Sequence, residues 1–242
     1  MCTVSFIPLT SDGFVFTSNR DEDPTRAATA LHKLVIGEKS LYFPQDTKAK
    51  GSWFVFSNTN QFVCILNGAF KPHLSEGTYK MSRGKMALEF FEFKDYQTFV
   101  NNFEFEGMES FTFIIFDRGI LVELRWDESK LHTKELSNSE IHLWSSSTLY
   151  PVSWQIDRQE RLIKWFSQGV RSQEEVMDFH KEEFPFKRDA LVEIYGTEVP
   201  EELPVQTLSV SSIKGNQAVF DFQYKRVKTS ENFQKSIQIQ GA

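Results

Sequence analysis

The second residue of the chain is a cysteine, in "MCTVSF". Cysteine is small enough that removal of Met1 is expected. Removal leaves a thiol and a free α-amine on one residue. An α-amine titrates near roughly 7.7–8.0 and a thiol near about 8.5, so the amine can serve as general base for its own side chain. This is the cysteine counterpart of a threonine hydroxyl paired with an N-terminal amine. By itself, a cysteine at position 2 is a weak signal, and the commoner reading is a small buried residue on an edge strand. A second group stands in "SNRDED", residues 18–23, soon after the apolar run "FVF". Charges at the end of a buried strand are costly unless they pair or do chemistry.

These two groups need elements that bring them together. "TVSFIPL" alternates and is rich in β-formers, "SDG" supplies a turn at Asp12-Gly13, and "FVFTSN" follows. That pattern predicts a hairpin. Residues equidistant from its turn pair, so Asn19, Arg20 and Asp21 fall near Cys2. A cation beside a thiol lowers its pKa, and a carboxylate can orient an α-amine. The motif then reads as an electrostatic cradle for Cys2; the other reading is a surface ion-pair cluster of little energetic weight.

The pattern continues as strands at "KLVIG", "SLYFP", "SWFVFSN" and "FVCILNG", so the first 70 residues read as one antiparallel sheet. "MSRGKMALEFF" changes to a helical period, with Ser82 as its cap. "DYQTFVNNF" follows as a short helix. Strands return at "SFTFIIFD", "ILVELRWD" and "EIHLWSSS". "SWQIDRQERLIKWFSQ" and "SQEEVMDFHKEEF" are amphipathic helices, and the tail forms a hairpin that turns at "KGN". The order predicts one layered α+β domain over residues 1–242.

Composition narrows the function classes. The net charge is −6, against the basic footprint of a nucleic-acid binder. No run reaches the roughly 18 apolar residues of a membrane span, and the first residues lack the pattern of a signal peptide. A cytoplasmic protein with reduced thiols is expected. The 24 phenylalanines can build a large aromatic core, and some can line an acyl or haem pocket. The five histidines show no metal-ligand spacing, so no metal site is expected. Cys64 sits in an apolar strand and reads as core. Arg158 and Arg161 can line a site or a solvated helix face.

"MCTV" with "SNRDE" resembles the NRDE family, also called the transport and Golgi organisation protein 2 family. "PQDTKAKGSW" resembles its Asp…Gly-Thr-Trp segment, with Asp46, Gly51 and Trp53 and with Ser52 in place of Thr. "CILNG" resembles a strand ending in Asn, here Asn67. "MSRGKM" resembles its Ser-Arg-Gly helix start at Ser82, Arg83 and Gly84. Later, Ser146 stands where the family has Asn, and Glu198 replaces an Arg after Tyr195, Gly196 and Thr197, with Thr207 further on.

The pattern is also similar to the wider N-terminal-nucleophile hydrolases of the choloylglycine hydrolase and penicillin V acylase type. The resemblance implies a four-layer α-β-β-α sandwich with antiparallel sheets. It implies Cys2 as nucleophile and base, Arg20 tuning the thiol, Asp21 holding the α-amine and Asn67 donating to the oxyanion. Ser18 stands where those relatives carry their Arg. Asn19, Arg83 and Ser146 are expected to contact a small-molecule substrate. The activity implied is that of an amidohydrolase or acyltransferase without a cofactor. The alternative is a non-catalytic ligand-binding or trafficking protein on the same fold, serving haem or lipid homeostasis, with haem as a ligand.

Overall fold

The computed structural model describes residues 3–9, 13–73, 75, 77–169, 171–196, 199 and 204–240. Cys2, Asp12, Thr197 and Glu198 lie outside them. Two antiparallel sheets stack face to face. The first contains β1 (Thr3–Pro8), β2 (Phe14–Glu22), β10 (His142–Ser145), β11 (Gln206–Gly215), β12 (Val219–Arg226) and β13 (Asn232–Gln238), in the order β10-β1-β2-β11-β12-β13. The second runs in chain order: β3 (Leu31–Ile36), β4 (Lys39–Pro44), β5 (Phe54–Ser57), β6 (Gln61–Asn67), β7 (Phe111–Asp117), β8 (Ile120–Trp126) and β9 (Leu131–Leu136).

The opening hairpin forms as its alternation predicts, with Val4 opposite Ser18 and Pro8 opposite Phe14. The first 70 residues do not make one sheet, however. β1 and β2 join the first sheet, and β3 to β6 belong to the second. Alternation tells which face of a strand is apolar; it does not say which strand will pair with it.

Phenylalanine holds the two sheets together. Phe14 and Phe16 of β2 point at the second sheet, where Phe16 meets Phe62 at 4.6 Å and Phe14 meets Phe116 at 4.8 Å between ring centres. Phe222 of β12 lies 4.7 Å from Phe56. Offset and tilted aromatic pairs at these spacings add to the burial of their area.

The outer faces carry the helices. On the first sheet, Ile7 and Val15 pack with Leu162 of α3 (Val152–Phe166) and Val176 of α4 (Gln173–Glu183). On the second, α1 (Arg83–Glu89), the turn after it and α2 (Tyr96–Asn102) bring Phe90 and Phe99 within 6.0 Å of Phe113. The layers therefore run helix, sheet, sheet, helix. Ser82 caps α1 by accepting the Lys85 N–H.

β9, β13 and the short helix α5 (Asp189–Tyr195) carry no clear periodicity. β9 and β13 are edges of their sheets; β9 carries His132, Thr133, Lys134 and Glu135, and β13 carries Asn232, Gln234, Lys235, Ser236 and Gln238. Exposed edges of this kind resist pairing with other chains, and they lose the apolar alternation that marks an inner strand. Among the described residues no helix is long and apolar enough to cross a membrane.

Phe62 is fully buried and touches Phe14, Phe16, Phe54, Phe116 and Phe220. Truncation to alanine opens a cavity between the sheets, and Phe62→Ala should cost about 3–5 kcal/mol. Urea unfolding followed by far-UV circular dichroism checks this; a loss below about 1 kcal/mol would mean that the sheets repack freely.

Candidate functional site

β2 lies between β1 and β11, and its end carries the charged motif. Side chains along a strand alternate between faces. Phe14 and Phe16 face the second sheet, so Arg20 does too, while Asn19 and Asp21 face the helices. The motif is therefore split between two layers and is not one cluster.

Arg20 is buried and donates from Nη2 to Asp46 Oδ2 at 2.6 Å and from Nη1 to the Arg26 carbonyl at 2.7 Å. Its guanidinium lies 3.8 Å above the Trp53 ring. Asp46 Oδ2 also takes Arg26 Nη2 at 2.8 Å, and Oδ1 takes the N–H groups of Lys48 and Ala49. Burial opposes ionisation of Asp46. The Ala49 N–H and the Arg26 and Arg20 guanidiniums outweigh it and hold the carboxyl below its ordinary range.

The segment that carries Asp46 and Trp53 crosses the start of α1 at close quarters. Ser52 N–H donates to the Gly84 carbonyl at 3.0 Å, and a Cβ on Gly51 would lie 2.4 Å from the Gly84 carbonyl carbon. Only glycine permits that approach. The crossing sets Trp53 beneath Arg20 and Arg83 at the cavity wall.

Asn67 ends β6, and Gly68 follows with φ +79°, which turns the chain at once. A Cβ on Gly68 would lie 2.2 Å from Ser147 Oγ. The Asn67 side-chain oxygen is buried and has no hydrogen-bond partner among the described residues. Ser146 is buried beside it; its Oγ donates to the Asn67 carbonyl at 2.8 Å. Arg83 Nη2 pairs with Glu109 at 2.9 Å, and Nη1 donates to the Ser110 carbonyl. Burial lowers the Arg83 pKa, and Glu109 offsets part of that. His73 sits on the other oxygen of Glu109 at 3.3 Å.

Arg20, Trp53, Asn67, Arg83 and Glu109 line one cavity of about 830 Å³. Leu149, Leu191 and Val205 supply an apolar wall to it. Asn19 and Ser146 do not line it. Asn19 spends its amide on α4, donating to the carbonyls of His180 and Phe184 and meeting His180 Nδ1 at 2.8 Å. The reason is its odd position on a strand whose even positions face the cavity.

Asp21, also on the helix side, accepts from Tyr150 Oη at 2.5 Å and from Thr207 Oγ1 at 2.6 Å. Burial, then the charge of Asp21, raises the Tyr150 pKa well above its ordinary value. Arg158 is buried, so the solvated-face reading of that residue is overturned; Arg161 does face solvent and pairs with Asp157 and Glu183. Cys64 is buried, which pushes its thiol up to about 12. Tyr150, Glu109 and His73 carried no spacing signal. Glu109 and Tyr150 lie in loops, where periodicity has nothing to report.

The family model for Transport and Golgi organisation 2 matches residues 1–231. The chain belongs to the Transport and Golgi organisation 2 family. No curated protein matches this family member in a direct comparison. Solved structures do. An N-acylethanolamine-hydrolyzing acid amidase ortholog from Caenorhabditis elegans superposes with a TM-score of 0.55 at 14% identity, over 88% of this chain and 92% of that one. Two variants of a conjugated bile acid hydrolase from Clostridium perfringens give TM-scores of 0.52 and 0.53 at 10% identity, each over 97% of this chain and 92% of that one. The Transport and Golgi organisation 2 chain therefore has the N-terminal-nucleophile hydrolase fold. Among its described residues no group of three or more His, Cys, Asp or Glu is placed to hold a metal ion.

His180 gives a pH test of the helix side of this family member. It is fully buried between Asn19 and Ser5, whose Oγ lies 2.7 Å from Nε2. Burial, then the Arg158 charge, pulls its pKa down to about 3. The unfolded chain takes up a proton near pH 6.5, and the folded chain does not until about pH 3. This contribution to stability is full above pH 6.5 and falls as pH drops through that window, by up to about 1.4 kcal/mol per unit. An NMR titration should find the His180 imidazole neutral at pH 5; protonation there would contradict the assignment.

Proposed function

We propose that this chain is an N-terminal cysteine amidohydrolase or acyltransferase that acts on a small-molecule amide or related acyl substrate through Cys2 after removal of Met1. The observation that carries this reading is one cavity shared by Arg20 from the first sheet and Asn67 from the second, at the end of the sandwich where β1 begins. Cys2 is bonded to Thr3, the first residue of β1, and consecutive Cα atoms are about 3.8 Å apart. Val4 and Phe6 belong to the core between the sheets. Arg20 of β2 lies on the same face of the first sheet as these two.

The residues then take these parts. Arg20, neutralised in part by Asp46, stands on the thiol side. Asp21, held by Tyr150 and Thr207, orients the α-amine. The thiolate attacks the substrate carbonyl, and a carbon–sulfur bond forms as the carbonyl oxygen takes on negative charge. The Asn67 amide N–H stabilises that oxyanion. The α-ammonium gives its proton to the departing amine as the carbon–nitrogen bond breaks. Water, deprotonated by the α-amine, then releases the acid from the thioester; an acceptor amine in place of water makes the reaction an acyl transfer. Arg83 and Glu109 face the polar part of the substrate, and Leu149, Leu191 and Val205 its apolar part. The ligand class this favours is an amphipathic acyl amide.

Intact mass before and after brief alkylation at neutral pH tests the reading. Loss of Met1 and fast single labelling mapped to Cys2 are expected. A retained Met1, or a Cys2 no faster than a free thiol, would sink the hydrolase reading in favour of ligand binding. With a panel of acyl amides, Asn67→Ala should lower kcat by about 100–1,000-fold, the usual loss for one oxyanion donor; unchanged turnover would remove Asn67 from the mechanism.

A further inference from the structure

Arg158 projects from the middle of α3 and is 1% exposed. Its Nη1 donates to Thr3 Oγ1, and its Nη2 to the Pro185 carbonyl at 3.3 Å. Its guanidinium lies 3.7 Å above the Tyr150 ring and 5.6 Å from that of Phe184. All of these partners are neutral, and Arg158 makes no ion pair among the described residues. A cation taken out of water without a bonded anion is expensive to keep. Packing alone would be served as well by an apolar side chain of similar length.

We infer that Arg158 is an electrostatic positioning residue of the proposed site: its buried charge favours the ionised thiol and the neutral amine of the residue bonded to Thr3. The inference rests on the reading of Cys2 as an N-terminal nucleophile. Charged and titratable groups face the start of β1 from each element packed there. β2 brings Arg20 and Asp21, the turn before α3 brings Tyr150, α3 brings Arg158 and α4 brings His180. β10 brings Ser145 opposite Thr3 and Trp144 opposite Val4; from the second sheet, β8 brings Glu123, which accepts from the Trp144 indole and pairs with Arg125, and β6 brings the Cys64 thiol, which donates to Ser18 opposite Val4.

These groups do not weigh equally. Arg20 shares a 2.6 Å ion pair with Asp46, which cancels much of its field. Tyr150 stays protonated and His180 stays neutral at ordinary pH. Asp21 meets Tyr150 through its Oδ2, and Arg158 lies over the face of the same ring. The tyrosine therefore stands between the anion and the cation, and Arg158 reaches past it to Thr3 at the start of β1. Asp21 raises the affinity of the amine for its proton; Arg158 opposes that and lets the amine serve as base. The field of Arg158 reaches β1 in another place, since it helps to keep His180 neutral beside Ser5.

The test is the rate of iodoacetamide labelling against pH, mapped to the modified cysteine, in the full-length protein and its variants. Cys64 is buried and serves as the unlabelled control. In Arg158→Met, which keeps the packing and removes the charge, the labelling midpoint should rise by about one pH unit or more. Arg158→Lys keeps the charge and should keep the midpoint close to that of the parent. If Arg158→Met fails to fold by near-UV circular dichroism, Arg158→Gln provides the neutral variant. An activated Cys2 in the parent with the same midpoint in a folded neutral variant would overturn the inference alone. An ordinary thiol in the parent would overturn the nucleophile reading, and the role of Arg158 with it.

Discussion

Strand β2 has a paired neighbour along each edge and a packed layer against each face, so each of its side chains must be satisfied inside the protein. This constraint organises the site. Two adjacent residues of a strand cannot look the same way. Arg20 is sent between the sheets, and Asn19 and Asp21 are sent beneath the helices. Each then meets partners that no local rule would bring there: Asp46 and Trp53 from the second sheet, Tyr150 and Thr207 from the far half of the chain, His180 from α4.

The cost of burying ionic groups explains why these contacts are so complete. A lone buried charge is expensive, whereas a charge with two or three well-placed hydrogen bonds can be held. Asp46 has guanidinium groups on one oxygen and backbone N–H groups on the other. Asp21 has a hydroxyl on each oxygen. Arg158 departs from this pattern: among the described residues its hydrogen-bond and ring partners are all neutral.

The cavity is where the two sheets stop matching. Phenylalanine fills the space between them along the middle of the sandwich, from Phe62 to Phe222. Toward the start of β1 the rings give way to Trp53, Arg20 and Asn67, and the close crossing of Gly51 over Gly84 sets one wall. Leu149, and Leu191 and Tyr195 of α5, also line it, so the cavity presents both polar and apolar groups.

By itself the sequence determined the opening hairpin, the cap at Ser82, the aromatic core and the buried state of Cys64. These depend on near neighbours and on hydrophobic period, which a linear reading captures. It also brought Arg20, Asn67 and Arg83 forward through the family resemblance, and all three line the cavity. Only the tertiary structure decided that β1 and β2 leave the sheet of β3 to β6, because strand pairing is chosen by partners distant along the chain. Only it turned Asn19 away from the cavity and buried Arg158. Whether an arginine on a helix meets water or a tyrosine depends on what packs over that helix, and here the deciding residues, Thr3, Tyr150 and Pro185, come from three separate parts of the chain.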